Sequence, residues 1–289
     1  KMSLNFENLT ENVGSEVTGL DMSRPLTDDA RDRLERELAE RSVLLVRGQI
    51  DLTPEEHIAF SRCFGDLEEH VLQNFCLPGY PEIFVVSNIV ENGKHIGAYG
   101  GSKEYHSDLA YLPEPSMGSV FHCLECPEEG GETAIVSMSA VHDALPAERR
   151  DWLSRQSAIF DYVWQYERAH RDRPELTEEQ KARVPPIGHP AVRTHPVSGN
   201  PALFLSEIWV RRFEGVADEE SQTMIREILD FATRPEFTYV HKWQPGDVII
   251  WDNRNSMHKA CPFDEENTRR RMHRTTIKGT APFFRAEAA

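Results

Sequence analysis

YHSDLAY, residues 105–111, sets His106 and Asp108 two positions apart in an aromatic run, and whether it is strand or helix decides what kind of scaffold carries them. Two residues is the period of a β-strand. An extended chain would send both side chains off one face, where they could grip a single ion, whereas a helix would turn them about 200° apart. The spacing alone says little. With 12 His and 48 Asp plus Glu in 289 residues, chance gives about two His-x-acid triplets, and two are present. The other, His170-Arg171-Asp172, lies in the charged stretch YERAHRDRPELTEEQKAR (166–183), which reads as helix and loop, where the pair would diverge.

The surrounding chain reads as β. Short apolar runs rich in β-formers recur: VLLV (43–46), IFVVSN (83–88), GSVFHCLEC (118–126), TAIVS (133–137), ALFLS (202–206), FTYVHKW (237–243), DVIIWD (247–252) and MHRTTIKG (272–279). Helices are expected at 27–41, 139–154 and 217–233, and in TPEEHIAFSRCFG (53–65). There Thr53 is the N-cap, Pro54 follows, Glu56 completes a capping box and Gly65 lies past the end. Many strands with few helices predict a mainly β fold, a sandwich or jelly roll with helices packed outside. Neither GxGxxG nor GxxxxGK[ST] occurs, which disfavours a doubly wound nucleotide fold. No repeat or Gly/Ser linker divides the chain, so residues 1–289 read as one domain, with the proline-bearing insertion at 161–190 a lid or a surface excursion.

A net charge of −16 argues against nucleic acid or an anionic membrane as partner. Any anionic small molecule must then be drawn in by a local group of Arg and Lys. No stretch has the apolar length of a signal peptide or a membrane span, and five cysteines suit free thiols, so a soluble cytoplasmic protein is expected. Cys123-Leu124-Glu125-Cys126 is half of a zinc or redox motif without its other half. In a strand its thiols would face opposite ways, which reads as two inert buried cysteines.

DVIIWDNRNSMHKA (247–260) places His258 just beyond an apolar strand, in a segment rich in turn formers. Alone it is better read as a hydrogen-bonded loop histidine. Two histidines and a carboxylate on a β scaffold can, however, occupy one face of a metal and leave three positions open, the facial arrangement of non-haem Fe(II) oxygenases. In TRRRMHRTTIKG (268–279), if extended, Arg270, Met272 and Arg274 share one face, so two guanidiniums able to take carboxylates could point toward such a metal.

These residues, with VGSEVTGLDMSRPL, AFSRCFGDLEEH, YHSD, GGETAIVS, HPAVRTHPVSGNPALF, WQPGDVIIWDNRNSMH and RRMHRTTIKGTAPF, resemble the taurine dioxygenase and 2,4-dichlorophenoxyacetate dioxygenase family along nearly the whole chain. The resemblance implies a double-stranded β-helix (a cupin-like jelly roll) and an enzyme that couples decarboxylation of 2-oxoglutarate, with O2, to C–H oxidation. It implies His106, Asp108 and His258 as Fe(II) ligands, Thr133 and Arg270 as the 2-oxoglutarate anchors, and Arg274 and His70 as substrate contacts. Tyr105, Tyr111 and the IWVRRF segment (208–213) depart from the family pattern, so pocket shape does not transfer; the two tyrosines are candidate walls. Arg274 must either be neutralised by an acid such as Glu207 or await an anionic substrate, a carboxylate or sulfonate. A zinc hydrolase using the same three ligands and a non-catalytic 2-oxoglutarate sensor are the alternatives. The oligomeric state, a homo-oligomer included, stays open.

Overall fold

The runs VLLV and VIIW are apolar throughout because their strands are covered on both faces. A computed structural model describes residues 3–69, 73–99, 101–169 and 174–286. In it Leu44, Val46, Val248 and Ile250 face an outer cluster with the helices, while Val43, Leu45, Ile249 and Trp251 face an inner one. The strict alternation is the period of the pleat.

These strands lie within an eight-stranded sheet. Its hydrogen-bonded order is Asn5–Asn8, Ser15–Thr18, Val43–Val46, Val248–Asp252, Gly118–Glu125, Arg271–Ile277, Tyr80–Ser87 and Cys76–Leu77. All its pairings are antiparallel except Ser15–Thr18 with Val43–Val46. A three-stranded sheet, Thr238–His241, Thr133–Ser137 and Ser256–Ala260, supplies Ile135 to the inner cluster formed by Phe121, Trp251 and Met272 of the larger sheet. The chain crosses between the sheets four times: through 126–132, where Gly130 and Gly131 take φ of 79° and 72°, through 242–247, through the turn at 253–255 and through 261–270. Further small sheets and the Asp218–Ala232 helix enclose a third cluster around Phe160, Phe204 and Phe213.

Helices Asp28–Arg41 and Pro54–Ser61 cover the outer face with Leu34, Leu38, Ile58 and Phe60, each side chain contributing about 1.5–3 kcal/mol by burial. The second carries the expected capping box, with Thr53 and Glu56 exchanging side-chain-to-backbone bonds. The fold is thus mostly sheet with several helices, and among the described residues no helix is long and apolar enough to cross a membrane.

Three local expectations need correction. The helix at 139–154 is two, Met138–Ala144 and Ala147–Ser154, because Pro146 forces Leu145 into an extended conformation. YHSDLAY is not a strand: only His106 makes a β-bridge, to His258, and residues 108–111 turn. Cys123 and Cys126 do not face opposite ways, since the strand ends at Glu125 and both thiols pack beside the inner cluster. His170 and Asp172 lie outside the described residues.

Candidate active site

His258 sits in the Ser256–Ala260 strand opposite Ile135. On its other side His106 pairs with it through reciprocal backbone N–H to C=O bonds of 3.0 and 2.8 Å, which bring the ring centroids to 4.5 Å. Asp108 reaches the same point by the turn rather than by strand alternation. Leu109 takes a left-handed φ of 55°, which for a branched residue costs on the order of 1 kcal/mol and must be held by its surroundings. Asn253 does this, its Oδ1 accepting the Asp108 N–H and its Nδ2 donating to Asp108 Oδ2, both at 3.3 Å.

One ligand atom from each of His106, Asp108 and His258 lies within 4.8 Å of the others, the one such group among the described residues. Asp108 Oδ2 accepts from Trp251 Nε1 at 3.1 Å and from Ser119 Oγ and Asn253 Nδ2 at 3.3 Å. Oδ1 is thereby turned toward the imidazoles, 3.7 Å from His258 Nε2 and 4.0 Å from His106 Nε2. His106 Nδ1 lies 3.0 Å from the Glu104 carbonyl, which fixes its proton there and leaves Nε2 as a lone pair facing Asp108. Burial pushes the His258 imidazole down to about 3, so it is neutral near neutral pH. Burial also opposes ionisation of Asp108, but His258, the Arg274 guanidinium, His106 and the Trp251 N–H outweigh it and hold the carboxyl below the usual carboxylate range. A buried carboxylate facing the Nε2 atoms of two imidazoles is the donor set a divalent metal requires.

A cavity opens in front of this group, lined by His106, His258, Trp251, Thr133, Arg270 and Arg274 among others. Arg270 and Arg274 do share a face, with buried Met272 between them. Arg270 is 6% exposed, its Nε has no partner, and among the described residues it makes no ion pair. Burial lowers its pKa from the ordinary value, yet a guanidinium stays charged, and an unpaired buried cation costs several kcal/mol. Its surroundings suit an incoming carboxylate. Thr133 Oγ1 accepts from Trp243 Nε1 at 3.0 Å, which leaves the hydroxyl proton free to donate.

Arg274 does not pair with Glu207, whose carboxylate accepts the Tyr105 N–H at 2.8 Å. Its Nη1 instead lies 3.4 Å from Asp108 Oδ1. Tyr105 is 7% exposed in the core, beneath Lys259, and Tyr111 packs against Tyr162 and Trp209 at ring distances of 4.8 and 4.7 Å. Neither lines the cavity, whose aromatic walls are Phe84, Tyr99, Phe121, Trp251 and Phe263 beside the two histidines. His70 lies outside the described residues. Sequence reasoning missed Trp251, Ser119 and Asn253, the donors to Asp108; Asn253 alone had a signal, its place among the turn formers before His258.

Two histidines and one carboxylate on one side of a cavity, with an unpaired cation farther along it, define the class of facial-triad oxygenases. Residues 5–276 match the family model described as "Taurine catabolism dioxygenase TauD, TfdA family", and the chain belongs to that family. It is 30% identical over 288 residues to an alpha-ketoglutarate-dependent 2,4-dichlorophenoxyacetate dioxygenase from Burkholderia sp. (strain RASC), covering 96% of this chain and 95% of that protein. It is 31% identical to pentalenolactone F synthase of Streptomyces arenae, with 96% and 94% of the two chains covered. Among solved structures, AAD-2 in complex with Mn(II) and N-oxalylglycine superposes with a TM-score of 0.82 at 30% identity, over 97% of this chain and 99% of that one.

Proposed function

We infer that the chain is an Fe(II)- and 2-oxoglutarate-dependent dioxygenase that oxidises a small anionic molecule. The observation that carries this reading is the pairing, in one cavity, of the His106, Asp108 and His258 donor set with a buried Arg270 that has no acidic partner. A zinc hydrolase would use the first and leave the second unexplained.

His106, Asp108 and His258 would hold the metal, the Asp108 carboxylate being kept in place by the three donors to its Oδ2. Arg270 and Thr133 take the distal carboxylate of 2-oxoglutarate, which sets the 2-oxo acid end in register with the metal. Bound iron with these co-substrates supplies the C–H oxidation, in which 2-oxoglutarate, O2 and R–H give succinate, CO2 and R–OH. Arg274 leaves Asp108 to bind the substrate's carboxylate or sulfonate, and the apolar walls Phe84 and Phe121 exclude water from the carbon to be oxidised.

The two facing sheets, with the chain passing between them at each crossing, support a double-stranded β-helix in a single domain. Within the insertion at 161–190 the Tyr162–Ala169 helix is the candidate lid, on the strength of Tyr162, which stacks on Trp209 and meets Tyr111 at a tilt, whereas Ile187–Pro190 pairs in a small sheet. Five free thiols support a cytoplasmic location. The test is to add Fe(II) and 2-oxoglutarate anaerobically and look for a visible charge-transfer band, then admit O2 and quantify succinate. Band and succinate are expected; hydrolysis supported by Zn(II) without either would overturn the reading.

A further inference from the structure

Arg270 presents a positional problem. An ion-paired arginine is located by its acid, but this guanidinium has none among the described residues and makes only a distant approach, 5.8 Å, to the Phe121 ring. The residue also falls just outside the strand ladder. The Arg271–Ile277 strand begins one residue later, with Arg271 opposite Ser87 and Glu125, and its register against Gly118–Glu125 slips between Arg271 and Met272. At such a frayed, bulged end the backbone lacks the paired strand that would fix a side chain's origin.

The missing restraint comes from two side chains at the end of the neighbouring Tyr80–Ser87 strand, Ser87 and the residue just past it, Asn88. The Arg270 N–H donates to Asn88 Oδ1 at 2.8 Å, and the Ser87 hydroxyl donates to the Arg270 carbonyl at 2.8 Å. Asn88 Nδ2 donates in addition to the carbonyls of Glu265 and Thr268, both at 2.8 Å. The carboxamide orientation is unambiguous, since a flip would set its oxygen against two carbonyl oxygens and its nitrogen against an N–H. One amide thus ties the end of the Tyr80–Ser87 strand to the loop before Arg270, which carries the cavity residues Phe263 and Glu265.

We propose that Asn88, seconded by Ser87, is a positioning residue for 2-oxoglutarate: it sets the backbone from which Arg270 reaches the co-substrate carboxylate. This rests on the reading of Arg270 as the anchor. Asn88 acts through Arg270, and its loss leaves the metal ligands untouched.

The experiment is calorimetric titration of the Mn(II)-loaded protein with 2-oxoglutarate, for wild type, Asn88→Ala, Asn88→Asp, Ser87→Ala, Arg270→Ala and the Asn88→Ala/Arg270→Ala pair. Mn(II) affinity is followed separately by EPR. Asn88→Ala should weaken 2-oxoglutarate about tenfold or more, and Ser87→Ala by a few-fold, as lost hydrogen bonds to a positioned group would. Asn88→Asp keeps the acceptor for the Arg270 N–H but sets an anion against two carbonyls, so it should fall at least as far as Asn88→Ala. The double variant should bind no more weakly than Arg270→Ala alone, because the two act on one contact. Mn(II) affinity should stay within about twofold throughout. Unchanged binding in Asn88→Ala and Asn88→Asp beside a large loss in Arg270→Ala would overturn the positioning role alone. Full additivity in the double variant would do the same. Unchanged binding in Arg270→Ala would remove the anchor reading and this inference with it.

Discussion

Replacing Trp251 by Phe separates the support of the metal site from the packing of the core. The phenyl ring would still lie beside His258, whose ring centroid is 4.3 Å from that of Trp251, but the Nε1–H to Asp108 Oδ2, at 3.1 Å the shortest of the three bonds to that oxygen, would be lost. Ser119 and Asn253 remain, both longer at 3.3 Å. A hydrogen bond to a buried carboxylate is worth about 1.5–3 kcal/mol, and loss of an outer-shell partner of a metal ligand costs about 10- to 100-fold in affinity. With two donors left, the low end is expected: Mn(II) binding about tenfold weaker by EPR titration. The truncation also leaves a cavity costing about 1–2 kcal/mol of stability, which must be told apart from the effect on the metal. Trp243→Phe is the control, since Trp243 lies in the same cluster, also stacks edge-on against Phe121, and donates to Thr133 instead of Asp108. Both variants should unfold earlier in urea; only Trp251→Phe should weaken Mn(II). Equal Mn(II) affinities in the two would refute the idea that Trp251 orients Asp108.

His106→Ala, Asp108→Ala and His258→Ala should each abolish the anaerobic charge-transfer band, whereas His170→Ala should retain it; a band surviving in His106→Ala would contradict the ligand set. Arg274→Gln removes the cation 3.4 Å from Asp108 Oδ1, so Mn(II) should bind a few-fold more tightly by EPR while KM for an anionic substrate rises and succinate formation uncouples from product. Burial holds His57 at about 3 and His189 and His273 at about 4, so the folded state excludes protons that the unfolded chain binds below about 6.5. That stability is fully present above pH 7 and lost as pH falls: at pH 5.5 the three together should cost up to about 4 kcal/mol in urea unfolding, and a protein equally stable at pH 7.5 and 5.5 would show that these imidazoles are not kept neutral.

How much of this was legible in the chain depended on whether a local pattern or a distant contact made the feature. VLLV and VIIW announced strands covered on both faces, and TPEE announced its helix, because period and capping are local. The face shared by Arg270 and Arg274 followed from the same two-residue period. His106 and Asp108 were paired correctly for the wrong reason: the strand argument fails at Ser107, and a left-handed Leu109 does the converging, with Asp108 held by Asn253, 145 residues away. Nothing near residue 108 encodes that. Tyr105 illustrates the opposite error, a ring assigned to the cavity from its neighbourhood in sequence while its backbone is tied to Glu207 and its side chain is packed in the core.

The turn at 252–255 shows why such a site can be built from distant pieces without being loose. Asp252 is wholly buried, and three bonds from Arg254, through its backbone N, Nε and Nη2, at 2.7–2.9 Å close the turn on that carboxylate. His195 Nδ1 accepts the N–H groups of Val197 and Ser198, which places its proton on Nε2, donating to Asp252 Oδ2 at 3.0 Å. Burial works against the Asp252 carboxylate, but Arg254 and His195 outweigh it and keep it ionised. Ser256 Oγ donates to the Asp252 carbonyl at 2.6 Å, where the second sheet begins. Asn253, which holds Asp108, sits inside this closed turn, and His258 follows two residues into the next strand. The crossing between sheets therefore fixes two of the three metal-facing side chains at once. Disrupting one partner of its charge pair would leave an uncompensated buried charge costing about 3–5 kcal/mol, and the loss would move Asn253 and His258 together.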